Sequence, residues 1–391
     1  MTVDLERTLV ERAKTAVGFT FAVNGLAYAG WLARAPAARD ALHLSAAGFG
    51  LLLLCLSAAA FASIPMAGPL VQRVGPARAV LSGSMTVVAG LVALGIGTAV
   101  GSVVLAGLGL MLAGVGNSTW DVAMNVAGAE VERHLGRTVM PRFHAGFSLG
   151  TVVGAGVSAG ASALGVPLSV QLFLTAALAA GSMIVLVRRF LPHEPLPREE
   201  RHSARARDAW RNPRTLMIGL FMLGFGFTEA TANNWLAIGL VDGYRASETV
   251  GAIAFGTFVT AMTLTRALAG HAIERWGRVT VLRVTAASAA LGLLLVVSGL
   301  GVPFALVGAL LWGAGASLGF PIGMSAAADD PVRAAVNVSV AGAIGYGAFL
   351  SGPPLIGFLA QRFGVLHAIL CVLVALAVGA AASRSARTPI R

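Results

Sequence analysis

Three polar residues recur at every fourth position of an apolar stretch: Asn117, Asp121 and Asn125, in G-N-S-T-W-D-V-A-M-N. At 3.6 residues per turn this spacing stacks them on one helical face. A carboxylate at bilayer depth costs at least about 2.5–3.5 kcal/mol, so it needs a partner, a wet cavity or a proton. Asp121 therefore reads as a carboxyl that takes up and releases a proton beside a polar solute, or as one that hydrogen-bonds a neighbouring helix. Glu229 is a second such group, with Asn233 one turn on and Asn234 and Trp235 following. It reads as a substrate-binding or proton-carrying carboxyl, or as the partner of an unwound backbone segment. Asn24 and Tyr28 lie one turn apart and suit a polar ligand, although a lone intramembrane Asn also serves as glue between helices. His144 suits a proton relay or the capture of a nearby carbonyl. Trp120 and Trp235 adjoin these polar groups and are candidates for the wall of a binding site. Trp312 and Phe320 read as packing, and Asn337 and Tyr346 are minor candidates.

The elements that must hold these groups are membrane-spanning helices. The chain has 391 residues, 57% hydrophobic and 12% charged, with mean hydropathy +0.80. A spanning helix takes about 20 apolar residues. Apolar runs at roughly 14–34, 45–70, 78–99, 102–128, 143–164, 168–190, 215–240, 249–272, 280–300, 303–327, 334–360 and 365–383 predict twelve of them. Residues 191–213, rich in Pro and Arg, cannot cross a bilayer. They divide the chain into a six-helix bundle over 1–190, a linker, and a second bundle over 214–391.

The net charge of +11 is distributed in a way that excludes nucleic-acid binding. Of 28 Lys and Arg residues, Arg34, Arg39, Arg245 and Arg362 fall on one face, Arg266 falls within a span, and the other 23 share the opposite face. That bias marks the basic face, the linker and both termini as cytoplasmic. No small-residue cleavage site follows an early short apolar run, so no removable leader is expected. The only lysine, Lys14, lacks the preceding glycine of a phosphate-binding loop, which excludes an ATP-driven pump within this chain. H-E-x-x-H and G-x-S-x-G patterns are absent, so an intramembrane hydrolase has no support. Cys55 and Cys371 both lie in apolar runs and define neither a metal site nor a disulfide. The expected protein is thus not an enzyme and carries no cofactor.

The two halves repeat. The turn after the second run reads Gly68-P-L-V-Gln72-Arg73-V-Gly75-P-A-Arg78, and the turn after the eighth reads Gly270-H-A-I-Glu274-Arg275-W-Gly277-Arg278. G-L-M-L-A-G-V-G-N-S from Gly109 matches G-A-L-L-W-G-A-G-A-S from Gly308. In that register Asp121 pairs with Phe320 and Glu130 with Asp329. These turns resemble the signature loop G-x-x-x-D-R-x-G-R-R/K of the major facilitator superfamily. The first copy departs from the pattern at Gln72, while the second keeps an acid as Glu274. The resemblance implies a cytoplasmic charge latch built from Gly68, Arg73, Gly75, Gly270, Glu274, Arg275, Gly277 and Arg278, with Arg266 as a further member.

Residues 117–151, with Asp121, Asn125, a charged turn and F-H-A-G-F-S-L-G, look like the fucose-permease-like branch of that superfamily. Its helix-4 carboxylate, implicated in sugar binding and proton coupling, falls on Asp121. Its second acid, on helix 1, has no counterpart here. A bacterial subgroup of mostly unassigned substrate often carries E-G-x-x-x-D-W on helix 7. Here that segment is Glu229-A-T-A-N-Asn234-Trp235, with an amide in place of the acid. The resemblance implies the all-α major facilitator fold in a bacterial inner membrane, with the lipid bilayer, protons and a small-molecule substrate as partners, as a monomer. The expected function is proton-coupled symport of a small polar organic solute, such as a sugar, by alternating access. Export of amphipathic compounds and transport-free sensing remain alternatives. The missing G-P pair in the fifth run speaks against drug export.

Overall fold

A computed structural model describes residues 2–135, 139–192, 209–327, 329–330 and 333–387, which are helical with no strand among them. The helices are α1 (Thr2–Leu32), α2 (Ala35–Ala41), α3 (Ala46–Val74), α4 (Pro76–Val100), α5 (Val103–Leu135), α6 (Met140–Ala163) and α7 (Leu168–Leu186). After the linker come α8 (Pro213–Tyr244), α9 (Glu248–Val297), α10 (Val302–Ala316), α11 (Gly319–Ala327), α12 (Ala334–Phe363), α13 (Val365–Ala368) and α14 (Val372–Ala382). Most of the expected linker lies outside the described residues.

Among the described residues nine helices are long and apolar enough to cross a membrane, and the pair α1 and α2, bent by 48°, makes a tenth. One of the nine, α9, runs for 50 residues and is two helices joined at Gly277. The 24-residue α6 is also of spanning length, though more polar. These account for the twelve expected spans. The tenth, 303–327, is one span of 26 residues over Val302–Ala327, with a short break in its helix at Ser317 and Leu318, between α10 and α11. Gly313, Gly315 and Gly319 crowd that break, and each costs a helix interior about 1 kcal/mol relative to Ala.

The repeated signature loops have the same backbone. Gly75 has φ 81° and ψ 157°, and Gly277 has φ 75° and ψ 157°. This region is open essentially to glycine alone, which explains why both copies keep that residue. It turns α3 into α4 and breaks α9 at the matching place.

Two compact units emerge, Met1–Leu44 with Leu51–Pro197 and Ser45–Gly50 with Arg198–Arg391. Within the first, α1 packs on α6, and α4 packs on α5. Within the second, the matching spans pair again, α8 on α12 and α9 on α10. Small residues let the backbones meet in the manner of membrane helices. A Cβ on Gly83 would lie 2.7 Å from the Trp120 nitrogen, and one on Gly90 would lie 2.6 Å from the Gly109 oxygen. In the second unit a Cβ on Gly308 would lie 2.6 Å from the Gly292 oxygen. A polar clamp closes the far end of the first unit. Gln171 Nε2 donates to the Gly30 carbonyl at 2.7 Å and to Ser158 Oγ at 2.8 Å. Buried Arg34 donates to the Val166 carbonyl at 3.0 Å and to Gln171 Oε1 at 3.2 Å.

Candidate functional site

In the first unit the α4–α5 seam fixes α5, and α1 crosses beside it. Asn24 Nδ2 on α1 donates to Asn117 Oδ1 on α5 at 3.1 Å. Asn125 turns back along α5, donating to the Asp121 carbonyl at 2.8 Å and to Asp121 Oδ1 at 3.3 Å. Asp121 is exposed, and among the described residues no cation pairs with it. The stripe read from the spacing is therefore two hydrogen-bonded pairs, Asn24 with Asn117 and Asn125 with Asp121, and no cation joins the Asp121 carboxyl among the described residues. Trp120 points elsewhere: it is fully buried, and its indole N–H has no hydrogen-bond partner among the described residues. Tyr28 is half-buried one turn beyond Asn24. His144 on α6 is exposed and meets Phe21 edge-on, with ring centroids 5.2 Å apart.

In the second unit Glu229 on α8 is largely buried and is not bare. Arg266 Nη2 on α9 donates to Glu229 Oε2 at 3.1 Å, and Arg266 Nε donates to the Ser317 carbonyl at 2.9 Å. That carbonyl sits at the break between α10 and α11, where the helical ladder leaves it free. Asn233, one turn after Glu229, is 7% exposed, and its amide has no partner among the described residues. Asn234 instead donates to the Ala230 carbonyl of its own helix at 2.7 Å. Trp235 is fully buried edge-on to Phe49, centroids 6.0 Å apart, with its indole N–H unpartnered. Phe320, the register partner of Asp121, packs against Tyr346 and Phe349. Asn337 accepts from Thr215 Oγ1 at 3.2 Å.

The expected latch is divided. Arg266 goes to Glu229, not to Glu274, which is exposed and has no ion pair among the described residues. Arg278 Nη1 donates to both oxygens of Asp329, at 2.9 and 3.0 Å, and its Nη2 donates to Ser325 Oγ at 2.8 Å. Arg214 at the start of α8 reaches the same carboxylate at 2.6 Å. Arg275 lies over the neighbouring Trp276 ring at 5.8 Å. Arg73 is exposed, and Gly68 and Gly270 face open space. Sequence reasoning noticed Asp329 only as the register partner of Glu130, and it did not single out Arg214. The signal lay there, in an acid just past an apolar run. No group of three or more metal-ligating side chains occurs among the described residues.

The Major Facilitator Superfamily model matches residues 17–231. An uncharacterized transporter, y4wD, of Sinorhizobium fredii is 33% identical over 91% of this chain and 93% of its own length. Among solved structures, a mutant of the nucleoside transporter NupG aligns with a TM-score of 0.81 at 15% identity, covering 96% of this chain and 99% of that one. The fucose:proton symporter FucP of E. coli aligns with a TM-score of 0.64 at 13% identity, covering 96% and 98%. The two structural likenesses show the fold, and the family match and the relative show descent. This all-α, multi-pass membrane protein belongs to the major facilitator superfamily.

Proposed function

We propose that this protein is a secondary active transporter of a bacterial cytoplasmic membrane, moving a small polar organic solute together with a proton by alternating access. Asp121 is the protonatable site. The observation that carries this reading is a carboxyl within a spanning helix that is exposed, held only by the Asn125 amide, and unpaired with any cation among the described residues. A carboxylate so placed is costly in a dry surrounding, and a proton or a bound solute removes the cost. Asn24 and Asn117, joined beside it, supply donors and acceptors suited to a hydroxyl-bearing solute. NupG and FucP, similar in fold, are by name a nucleoside transporter and a fucose:proton symporter, for solutes of the polarity proposed here.

Proteoliposome uptake of a solute found by a thermal-shift screen tests the reading. Asp121→Asn imitates the protonated carboxyl, so the conformational change no longer waits for a proton. The variant is expected to exchange solute down its gradient and to lose uphill accumulation. Uphill accumulation by Asp121→Asn with an unchanged pH profile would return Asp121 to a purely structural role.

A further inference from the structure

We propose that Arg266 binds the carboxylate of an organic acid, and that Glu229 is the group that yields its place when it takes up a proton. The proposal rests on the transporter reading and narrows its solute to one bearing a carboxylate.

The geometry of the pair carries it. A guanidinium has five N–H donors in a planar fork, and a stable Arg–carboxylate pair commonly uses two of them in parallel. Here Glu229 takes a single bond through Nη2, and Ser317 takes Nε. Three N–H donors of Arg266 have no partner among the described residues. Neither side chain is sealed, at 31% exposed for Arg266 and 14% for Glu229. The Nε bond to the Ser317 carbonyl holds one corner of the guanidinium, and the unused donors are the two N–H groups of Nη1 and one of Nη2, along its Nη1–Nη2 edge. That edge is the one that receives a carboxylate bidentately.

Two further features point the same way. Asn233 lies on the Glu229 face of α8, nine-tenths buried, with an amide that nothing satisfies among the described residues. It supplies a hydrogen bond to the part of the solute beyond its carboxylate. Of the elements packed on α8, α10, α11 and α14 have no charged residue, α12 has only Arg362 in its last turn, α13 has His367, and the turn Ser383–Ala386 has Arg384, all three exposed. On α9, the charged and titratable residues nearest in sequence are His271 and Glu274, both exposed.

The charges balance without any other ion. At rest the carboxylate of Glu229 cancels the guanidinium. When a proton from water binds Glu229, that carboxyl becomes neutral, and the carboxylate of the solute replaces it on Arg266. One proton and one anion enter together, and the site stays neutral throughout.

Thermal-shift titration of the purified protein tests this with lactate, gluconate and benzoate as carboxylates. Inorganic phosphate is the second anion, and glucose is the neutral arm. Wild type is expected to bind at least one carboxylate, and to bind it up to about tenfold more tightly for each unit of pH lowered, the limit for uptake of one proton with the solute. Glu229→Gln is expected to bind the same carboxylate with no pH dependence. Arg266→Gln should bind at least about 30-fold more weakly, as when one partner of a desolvated charge pair is removed. Should that variant fail to fold, Arg266→Lys decides, since it keeps the charge and loses the fork and is expected to bind measurably more weakly than wild type. Stabilisation by glucose or phosphate alone, no stabilisation by any probe, or undiminished binding by the Arg266 variants would overturn the proposal. Asp121→Asn separates the two readings. It should keep the carboxylate titration intact, so uphill transport by that variant would remove the coupling role of Asp121 and leave the Arg266 site standing.

Discussion

The α4–α5 seam offers a substitution whose sign depends only on where it is placed. At Gly83 an added Cβ would meet the Trp120 nitrogen at 2.7 Å, the Gly116 oxygen at 2.9 Å and the Trp120 Cα at 3.1 Å. All three are backbone atoms, so no rotamer change relieves the contact. The helices must part until 2.7 Å becomes an ordinary contact of at least 3.4 Å. Overpacking of this kind costs about 1–3 kcal/mol. Alanine in place of glycine returns about 0.5–1 kcal/mol of helix preference. Gly83→Ala should therefore destabilise by about 0.5–2 kcal/mol. The same change at Gly156 on α6 meets nothing within 4 Å and should stabilise by about 0.5–1 kcal/mol. Thermal unfolding of the purified variants, followed by tryptophan fluorescence, reads both. The strain falls on the residue beside Asp121, so Gly83→Ala should also slow solute uptake, which Gly156→Ala should not. A Gly83 variant that melts at or above wild type would show that the seam is not closed as the distances require.

Two other expectations are independent of that one. Asp329→Asn leaves Arg214 and Arg278 facing each other without a counter-charge, and it should destabilise by about 3 kcal/mol in the same melting assay, while Glu274→Gln, at an exposed and unpaired site, should change stability by less than about 0.5 kcal/mol. In a background lacking Cys55 and Cys371, a cysteine at Arg211 should resist a membrane-impermeant thiol reagent in intact cells, and one at Ala246 should react; the reverse would invert the orientation drawn from the arginine bias.

Much of the skeleton was legible in the chain. Apolar runs of spanning length announce helices directly, because lipid offers the backbone no other partner. The repeated loops announced their shared turn, since glycine at Gly75 and Gly277 is what a φ near 80° demands. The Asn117, Asp121 and Asn125 stripe was legible because helical spacing is local. Its tie to Asn24 was not, being a contact across 93 residues. The Glu229–Arg266 pair was hidden for the same reason: each residue was noticed, but spacing gives no geometry between two helices. The break after α10 was obscured because a glycine-rich run reads equally as close packing, its role in the α4–α5 seam.

The repeat holds in the backbone and fails at the chemistry. Asp121 has Phe320 as its counterpart, and Phe320 closes an aromatic cluster with Tyr346 and Phe349. The second unit carries its acid elsewhere, at Glu229, and pairs it with Arg266. The two acids should therefore respond in opposite directions to the same neutralising change. Asp121→Asn removes a charge that no cation offsets among the described residues, so it should leave stability equal or raise it. Its exposure keeps that gain below about 1 kcal/mol. Glu229→Gln strands the guanidinium of Arg266 inside a spanning bundle. Breaking a fully buried pair costs about 3–5 kcal/mol, and the partial exposure of Arg266 places this case near about 2–3 kcal/mol. Adding Arg266→Gln to Glu229→Gln removes the stranded charge and should recover most of that loss, leaving only the Ser317 carbonyl unsatisfied. Melting curves of the three variants decide the matter. If Glu229→Gln and Asp121→Asn shift the melt alike, or the double variant is no more stable than Glu229→Gln alone, then Arg266 does not depend on Glu229 for its charge balance, and the two acids are not divided as the structure divides them.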